Sequence, residues 1–354
     1  MASRRVNRES IANPPAGLPT GERGAEFRTH TLSLGPELAG LRLDQALARA
    51  LPQYSRARLQ SWIDAGAVQV DGRRPRPRDK VLGGETVRIE ARLERDESVS
   101  PQALPLEVVF KDRALFVINK PAGLVVHPGA GNASHTLQNA LLALDSKLAV
   151  VPRAGLVHRL DKDTSGLLVV ARTPEAHTAL VAALAEHEVE RQYIALCTGV
   201  MTGGGTVDEP VGRHRSVRTR MAVRADGRPA VTHYRVMQRF RAHTLVRVEL
   251  ETGRTHQIRV HLAHIGYPLV GDPLYGGRRR LPAGASTQLV EALGAFKRQA
   301  LHAARLQLDH PVTGREVHWE APLPDDMTEL IRILELDAGA RVRSAAGVRA
   351  RSAG

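Results

Sequence analysis

Residues 155–171 read Gly-Leu-Val-His-Arg-Leu-Asp-Lys-Asp-Thr-Ser-Gly-Leu-Leu-Val-Val-Ala, and the stretch changes character halfway along. Its first part is charged and rich in turn-forming residues, whereas Leu167–Ala171 is an apolar run typical of a buried strand. Asp161 and Asp163 therefore stand just before a strand that enters a core. A carboxylate held at the solvent edge of a rigid element is well placed to act as a nucleophile or a base, although an Asp that only closes a turn gives the same pattern.

The chain is strongly basic, since its 354 residues include 50 Lys and Arg against 37 Asp and Glu, a net charge of +13. That length is sufficient for two domains and a sizeable core. The excess of positive charge favours polyanionic partners, and nucleic acid before all others. Nearly all of the basic residues are arginines, so a compositional bias without functional meaning is the alternative explanation.

The single cysteine, Cys197, excludes an internal disulfide and a cysteine-based zinc site. Its apolar neighbours predict a small core residue in a strand rather than a nucleophile. The basic N-terminus is not followed by the apolar segment of a signal peptide. The sequence also lacks the run of about 18 apolar residues that would predict a membrane span. We therefore expect a cytoplasmic protein with no membrane partner.

The composition divides the chain into five segments. Residues 1–28 are basic and contain several Pro and Gly, which predicts a disordered leader. Residues 29–92 combine two helical patterns with short apolar strands, as in a small independent module. Residues 93–104 form a predicted linker, residues 105–337 a larger domain, and residues 338–354 an Ala-, Gly- and Arg-rich tail that we expect to be disordered.

Residues 203–235 hold the densest cluster of positive charge. Asp226-Gly227 predicts a hairpin turn that joins strands at Met221–Val223 and Ala230–Tyr234. A run of charges is usually a solvated face, but arginines along a β-ribbon can also track an RNA backbone, and we favour that interpretation here. The arginines concerned are Arg213, Arg215, Arg218 and Arg220.

Four strings together resemble the RluA/RluD family of RNA pseudouridine synthases. The central string is His-Arg-Leu-Asp at 158–161, followed by Thr-Ser-Gly at 164–166. The others are Asn-Lys-Pro-Ala-Gly at 119–123, a strand with a Tyr after a basic residue at 190–196, and Gly-Arg-Thr-His-Gln-Ile-Arg-Val-His at 253–261. The string at 205–214 resembles the D type of the family in particular, which implies large-subunit rRNA as the substrate.

Residues 41–89 resemble an S4-type RNA-binding domain. The similarity rests on Arg-Leu-Asp at 42–44 and on Gly-Ala-Val-Gln-Val-Asp-Gly at 66–72. It implies that basic residues on the two helices, namely Arg42, Arg56 and Arg58, contact RNA. The alternative is a small α+β module with an ordinary solvated basic face.

The resemblance assigns roles to residues of the larger domain. It implies that Asp161 is the catalytic carboxylate and that Arg259 pairs with it, and a guanidinium fork favours the ionised form of a carboxylate. Tyr193 would lie against the target base, where an aromatic face stacks well. Arg159 would fill the space that the flipped base leaves in the RNA. His158 is expected to be structural or to face a phosphate.

Lys120 belongs to the family's opening string. We predict it to be a loop cation near the path of the RNA phosphates, but a solvated Lys is an equally good interpretation. Asp163, which follows the catalytic string, is assigned to the turn.

The family implies an α+β fold: a small N-terminal RNA-binding domain, then a catalytic domain with a large mixed, mostly antiparallel sheet flanked by helices. Pseudouridine formation is an isomerisation without redox change, so no cofactor is implied. We expect the partner to be 23S rRNA, at the stem-loop called helix 69, or the pre-ribosomal large subunit, and the enzyme to be a monomer. The sequence does not distinguish attack of Asp161 on the ribose from removal of a proton at carbon 2′.

Three alternatives stay open. The same chemistry could act on other rRNA or tRNA uridines. The fold could also serve as a non-catalytic RNA-binding factor in ribosome assembly. A metal-dependent hydrolase using His256, His261 and His264 is the third, but no carboxylate or Cys completes a ligand set in the sequence nearby, so we predict no metal site.

Overall fold

The computed structural model describes residues 26–51, 54, 56–93, 99–129, 132–217, 219–277 and 280–351. The first domain consists of β1 (Glu26–Ser33), α1 (Leu43–Ala50), α2 (Arg56–Asp64), β2 (Val68–Val70) and β3 (Thr86–Leu93). Its three strands form an antiparallel sheet in the order β1-β3-β2. The apolar sides of both helices pack on one face of this sheet and make a core of their own.

The second domain is organised around one nine-stranded sheet and a separate two-stranded ribbon. The sheet strands that precede the ribbon are β4 (Glu107–Lys111), β5 (Leu115–Lys120), β6 (Ser165–Ala171), β7 (Glu190–Thr198) and β8 (Gly205–Asp208). The ribbon consists of β9 (Val211–Arg213) and β10 (Met221–Val223). The remaining sheet strands are β11 (Val231–Arg239), β12 (His243–Leu250), β13 (Leu301–Asp309) and β14 (Glu316–Glu320).

The large sheet is mixed but mostly antiparallel, as expected. Its order is β4-β5-β6-β13-β7-β12-β11-β8, with β14 paired to β13. Among the described residues, β6 and β13 are the one parallel pair of neighbours. Because β6 has neighbours on both edges and cores on both faces, every residue of this strand is buried. This explains why its sequence is a continuous apolar run instead of an alternating one.

Five helices flank this sheet: α3 (Leu137–Leu144), α4 (Pro174–Ala185), α5 (Gln257–His264), α6 (Thr287–Ala295) and α7 (Asp325–Arg351). Helices α3 and α5 contribute to the core on one face, whereas α4, α6 and α7 contribute to two clusters on the other. Within the described ranges no helix is both long and apolar enough to cross a membrane.

Near both ends of the chain, regular secondary structure extends into the segments that were expected to be disordered. Strand β1 begins at Glu26, inside the predicted leader, and residues 1–25 lie outside the described residues. Helix α7 extends to Arg351 and therefore includes most of the predicted tail. The tail is rich in Ala and Arg, which are strong helix formers, so its composition favours continuation of the helix. Residues 94–98 of the predicted linker also lie outside the described part of the chain.

The hairpin predicted at Asp226-Gly227 is wrong in its pairing. Strand β10 pairs with β9, and β11 pairs instead with β8 and β12 in the large sheet. The reason is packing, since Val211 and Ala230 form a small buried cluster with Val260 of α5. The ribbon is thereby fixed on the helix that also carries Arg259.

Candidate active site

The loop before β6 opens into a cleft of about 400 Å³ whose walls come from this loop, β7 and the start of α5. Asp161 lies in this cleft with its side chain 15% exposed. Its own carbonyl accepts a hydrogen bond from the Thr164 amide at 3.1 Å, which closes the turn that leads into β6. The carboxylate is therefore held by a buried strand and still reaches the space of the cleft.

Arg259 joins this carboxylate from a segment almost a hundred residues away. Its Nη1 donates to Asp161 Oδ2 at 3.0 Å, and its side chain is only 5% exposed. Burial lowers the pKa of the guanidinium, but Asp272 and then Asp161 raise the pKa by more, so it lies above its ordinary value. The contact predicted between Asp161 and Arg259 is present.

Asp272 is the part of this arrangement that the sequence analysis missed. Its buried carboxylate accepts from Arg259 Nε at 2.7 Å and from Arg259 Nη2 at 2.9 Å. The amides of Leu274 and Tyr275 also donate to Asp272 Oδ1, at 2.9 and 3.0 Å. The guanidinium is thus held from behind by a bidentate pair, with one nitrogen left to face Asp161. A Gly-Asp-Pro turn was the only sequence signal for this role.

Tyr193 lies on β7 and lines the same cleft as Asp161. Its side chain is buried among residues of the large core, and its strand neighbours in register are Val248 of β12 and Ala303 of β13. Burial raises the pKa of the phenol, Arg191 lowers it and Asp161 raises it, with a net rise. The hydroxyl is therefore protonated at neutral pH, and the ring is part of the cleft wall.

His256 and Tyr275 are two further neighbours of Asp161 that were not assigned to the site. His256 Nε2 lies 3.9 Å from Asp161 Oδ1, and His256 Nδ1 lies 2.8 Å from the Tyr275 hydroxyl. The guanidinium of Arg259 stacks over the Tyr275 ring at 5.1 Å from its centroid. Tyr275 therefore connects the two side chains that border the carboxylate.

The histidines considered as metal ligands are directed to different partners. His261 Nδ1 lies 2.9 Å from the Thr232 hydroxyl and His261 Nε2 lies 2.9 Å from the carbonyl of Glu209. His256 faces Tyr275 and Asp161 instead. In the described ranges, no three His, Cys, Asp or Glu side chains converge as a metal site would require.

Lys120 is not available to RNA, and its assignment as a phosphate contact is corrected. Its side chain is fully buried at the end of β5. Its Nζ donates to three carbonyls, those of Pro121, Leu124 and Lys162, at 2.8 to 2.9 Å. Burial lowers the pKa of the ammonium group to about 7, while Asp163 and Asp161 act to raise the pKa. Lys120 therefore ties the turn that carries Asp161 to the neighbouring strand.

We predict that Lys120→Met lowers both stability and activity. The substitution removes the donor of three buried carbonyls, and each unsatisfied polar group costs about 1–3 kcal/mol. The free energy of unfolding in urea should fall by about 3 kcal/mol or more, and the single-turnover rate should fall with it. Exposed Lys162→Met in the same turn is the matched control, because its backbone carbonyl is retained. Equal stability of the two variants would contradict this role for Lys120.

His158 also has a structural partner. The amide of Val169 in β6 donates to its Nε2 at 3.1 Å. Burial, together with the charge of Arg191, lowers the pKa of this imidazole to about 3, so the ring is neutral at physiological pH. The structural interpretation of His158 is therefore favoured over a phosphate contact. Its neighbour Arg159 is exposed and lines the cleft.

Two of the three arginines predicted to contact RNA in the first domain serve a buried carboxylate. Arg42 and Arg56 both bind Asp44, whose side chain is fully buried, with nitrogen–oxygen distances of 2.7 to 3.1 Å. Asp44 offsets the charge of only one of the two, and both side chains stay partly exposed, at 36% and 47%, so their contact with RNA stays a prediction. Arg58 is half-buried on α2.

The arginines of the basic ribbon have different surroundings. Arg213 and Arg215 are exposed, and Arg220 lies over the Tyr275 ring at 5.6 Å from its centroid. Arg218 lies outside the described residues. The ribbon thus carries exposed positive charge. It also contacts Tyr275, whose ring and hydroxyl border the side chains around Asp161.

Comparison with known families gives two matches along the chain. A family model described as RNA pseudouridylate synthase matches residues 114–264, a range that includes Asp161, Tyr193 and Arg259. A model of the S4 domain matches residues 41–87, within the first domain.

Several curated proteins are similar to this chain over most of its length. "Ribosomal large subunit pseudouridine synthase D" of Escherichia coli O157:H7 is 55% identical over 308 residues, which cover 87% of this chain and 94% of that protein. The protein of the same name from Pseudomonas aeruginosa is 56% identical over 306 residues, covering 86% of this chain and 96% of that protein.

Among solved structures, human RNA pseudouridylate synthase domain containing 4 is similar with a TM-score of 0.51 and 28% identity, over 64% of this chain and 92% of that one.

Proposed function

Because this chain belongs to the RNA pseudouridylate synthase family, we propose that it converts specific uridines of large-subunit rRNA to pseudouridine with Asp161 as the catalytic carboxylate. The observation that carries the assignment of Asp161 is its pairing with Arg259 at 3.0 Å inside a cleft that Tyr193 also lines. The activity as an RNA pseudouridine synthase follows from the family, and the choice of residues and of substrate is the proposal.

The reaction breaks one bond and forms another within the same nucleotide. The bond between ribose carbon 1′ and uracil nitrogen 1 is cleaved, the base turns, and carbon 5 bonds to carbon 1′. The hydrogen of carbon 5 leaves as a proton and nitrogen 1 gains a proton, so atoms and electrons balance without a co-substrate. Two routes are open to Asp161, attack on carbon 1′ or removal of the proton at carbon 2′, and in either of them it has to be an ionised carboxylate.

The target base must leave its stack to reach a carboxylate at the bottom of a cleft. In our proposal the exposed Arg159 at the cleft occupies the space that the base vacates, where a guanidinium plane can stack. Tyr193 holds the detached uracil with its ring, since base–aromatic stacking contributes about 1–3 kcal/mol. The charge of Arg259 stabilises the ionised form of Asp161, while Asp272 keeps the guanidinium in place.

We propose 23S rRNA, at the helix 69 stem-loop, as the substrate. Support comes from the D-type string at residues 205–214 and from relatives named for the large ribosomal subunit. A second RNA-binding domain on the same chain, matched by the S4 model, is consistent with a structured RNA. We further propose that the enzyme acts as a monomer in the cytoplasm.

The substrate is tested by mapping pseudouridines in rRNA and tRNA from a strain that lacks this protein. We expect pseudouridines to be missing from helix 69 and restored by the wild-type gene. Loss confined to other rRNA or tRNA positions would instead support the same chemistry on another substrate. If no pseudouridine is lost, the non-catalytic role in ribosome assembly becomes the better explanation.

The ribbon arginines are tested through the salt dependence of RNA binding. We predict that Arg213→Ala and Arg215→Ala each weaken binding of an rRNA fragment and reduce the slope of log affinity against log salt by about 1. Titration by fluorescence anisotropy at several salt concentrations measures both quantities. Arg332→Ala on α7, where Arg332 pairs with Glu329, is the control and should leave the slope unchanged. An unchanged slope in the ribbon variants would remove the ribbon from the RNA path.

A further inference from the structure

His256 adopts a backbone conformation that residues other than glycine rarely take. Its φ of 57° and ψ of 19° are left-handed, directly at the start of α5. Such a conformation is unfavourable for a non-glycine residue and persists where the surroundings hold it. His256 contacts Tyr275 and lies beside Asp161, whereas Ile258 and Leu262 of the same helix pack in the core.

The hydrogen bonds around Tyr275 favour one position for the proton on the His256 ring. The amide of Met221 in β10 donates to the Tyr275 hydroxyl oxygen at 2.8 Å. With one lone pair of that oxygen used in this way, the contact of 2.8 Å with His256 Nδ1 is best explained as donation from the Tyr275 O–H. A neutral imidazole that accepts at Nδ1 carries its hydrogen at Nε2. The Nε2–H then faces Asp161.

The charged groups around the ring are consistent with a neutral imidazole. Burial lowers the pKa of His256, Asp161 and Asp272 raise it, and Arg259 and Arg159 lower it, with a net shift below the ordinary value. At neutral pH the ring therefore has one N–H, and the hydrogen bond from Tyr275 decides its direction.

One oxygen atom placed beside this N–H and the carboxylate can reach both of them. His256 Nε2 and Asp161 Oδ1 are 3.9 Å apart, which is too long for a direct hydrogen bond. Asp161 Oδ2 is bound by Arg259, whereas Oδ1 is the oxygen nearest His256, and both residues line the cleft. A hydroxyl group to one side of the line that joins the two atoms can accept from Nε2–H and donate to Oδ1 at the same time.

We propose that His256 and Asp161 together hold the ribose 2′-hydroxyl of the target uridine, with Tyr275 as the positioning residue that sets the imidazole tautomer. This proposal rests on the proposed function, because the 2′-hydroxyl is the group next to the carbon at which the glycosidic bond is cleaved. It also connects the basic ribbon to the reaction, because Met221 of β10 fixes the Tyr275 hydroxyl.

Two substitutions separate the donor role from a backbone role. The Gln amide of His256→Gln can place a donor near the position of Nε2, whereas Asn is too short to reach it but tolerates left-handed φ best. We expect His256→Gln to keep the single-turnover rate within about fivefold and His256→Asn to lose about 30-fold or more. A purely conformational role predicts the reverse order, and that result would overturn the proposal.

The RNA provides an independent test with the wild-type protein. An rRNA stem-loop with 2′-deoxyuridine at the target should react about 10- to 100-fold more slowly than the all-ribose RNA. Combined with His256→Asn, the deoxy substitution should cost no more than about twofold further, because both changes remove the same interaction. Losses that multiply would show that His256 does not bind the 2′-hydroxyl.

The tautomer is measured without any substrate. Ring ¹⁵N shifts of labelled histidine should show His256 protonated at Nε2 in the wild type and a mixture of tautomers in Tyr275→Phe. Protonation at Nδ1 in the wild type would overturn the assignment. A wild type that isomerises no uridine would refute the proposed function, whereas an active wild type with equal His256→Gln and His256→Asn rates would refute only the role of His256.

Discussion

Asp161→Asn is expected to abolish pseudouridine formation, with a loss of at least about 10⁴-fold in single-turnover rate. The amide has nearly the shape of the carboxylate but can neither attack the ribose effectively nor take up a proton. Release of tritium from rRNA labelled at uridine carbon 5 measures the reaction directly, because the new bond to carbon 1′ displaces that hydrogen. RNA binding should change little, since the basic surface is intact.

Asp163→Asn is the matched control, as it lies two residues away in the same turn. We assign Asp163 to the turn, so this variant should retain activity within about fivefold of wild type. Should Asp163→Asn be inactive and Asp161→Asn active, the catalytic carboxylate would be the other one. Comparable activity of both variants would mean that neither side chain carries the reaction.

Substitution of Arg259 should have the second largest effect, and it should act on both rate and stability. Arg259→Met leaves the buried Asp272 without its partner, and an uncompensated buried charge costs about 3–5 kcal/mol. Arg259→Lys keeps the charge but cannot bridge two carboxylates with a planar fork. We expect Arg259→Lys to fold and to lose about 10²–10³-fold in rate.

Urea unfolding and tritium release on the same preparations separate these two effects. Arg305→Lys is the control, because Arg305 of β13 pairs with Glu320 of β14 at 3.0 Å in a solvent-accessible ion pair, and exposed pairs contribute about 0–1 kcal/mol. It should change neither stability nor rate appreciably. A fully active Arg259→Lys would show that the contact with Asp161 is not needed for the reaction.

The side chains proposed for catalysis were recognisable in the sequence because each belongs to a local string. Asp161 precedes a strand whose apolar run is itself a strong signal, and Arg259 lies in the first turn of a helix within a distinctive Gly-Arg-Thr-His-Gln-Ile-Arg pattern. The pairing of the two came from the family resemblance, and the distance of 3.0 Å is consistent with it. No spacing rule relates positions so far apart in the chain.

One error arose because the burial of a charge cannot be read from the sequence: Lys120 was interpreted as an RNA contact, yet it is buried and binds three backbone carbonyls. Arg42 and Arg56 both bind the buried Asp44, but their side chains stay partly exposed, so their contact with RNA stays a prediction. The sequence shows that a residue is basic, but its partner is set by the packing of segments that are remote in sequence. Asp272 was missed for the same reason, since a lone Asp in a turn has no visible partner.

The sequence by itself determined the division into two domains and the buried strand β6, because both follow from local patterns of apolar and polar residues, and its motifs carried the resemblance that implied the family and the role proposed for Asp161. Only the tertiary structure decided which polar groups meet: Asp272 binds Arg259, Lys120 binds the backbone of the turn that carries Asp161, and His256 lies beside that carboxylate. The physical reason is that Coulomb attraction and hydrogen bonding depend on distance and burial in the folded chain. Separation along the sequence sets neither quantity.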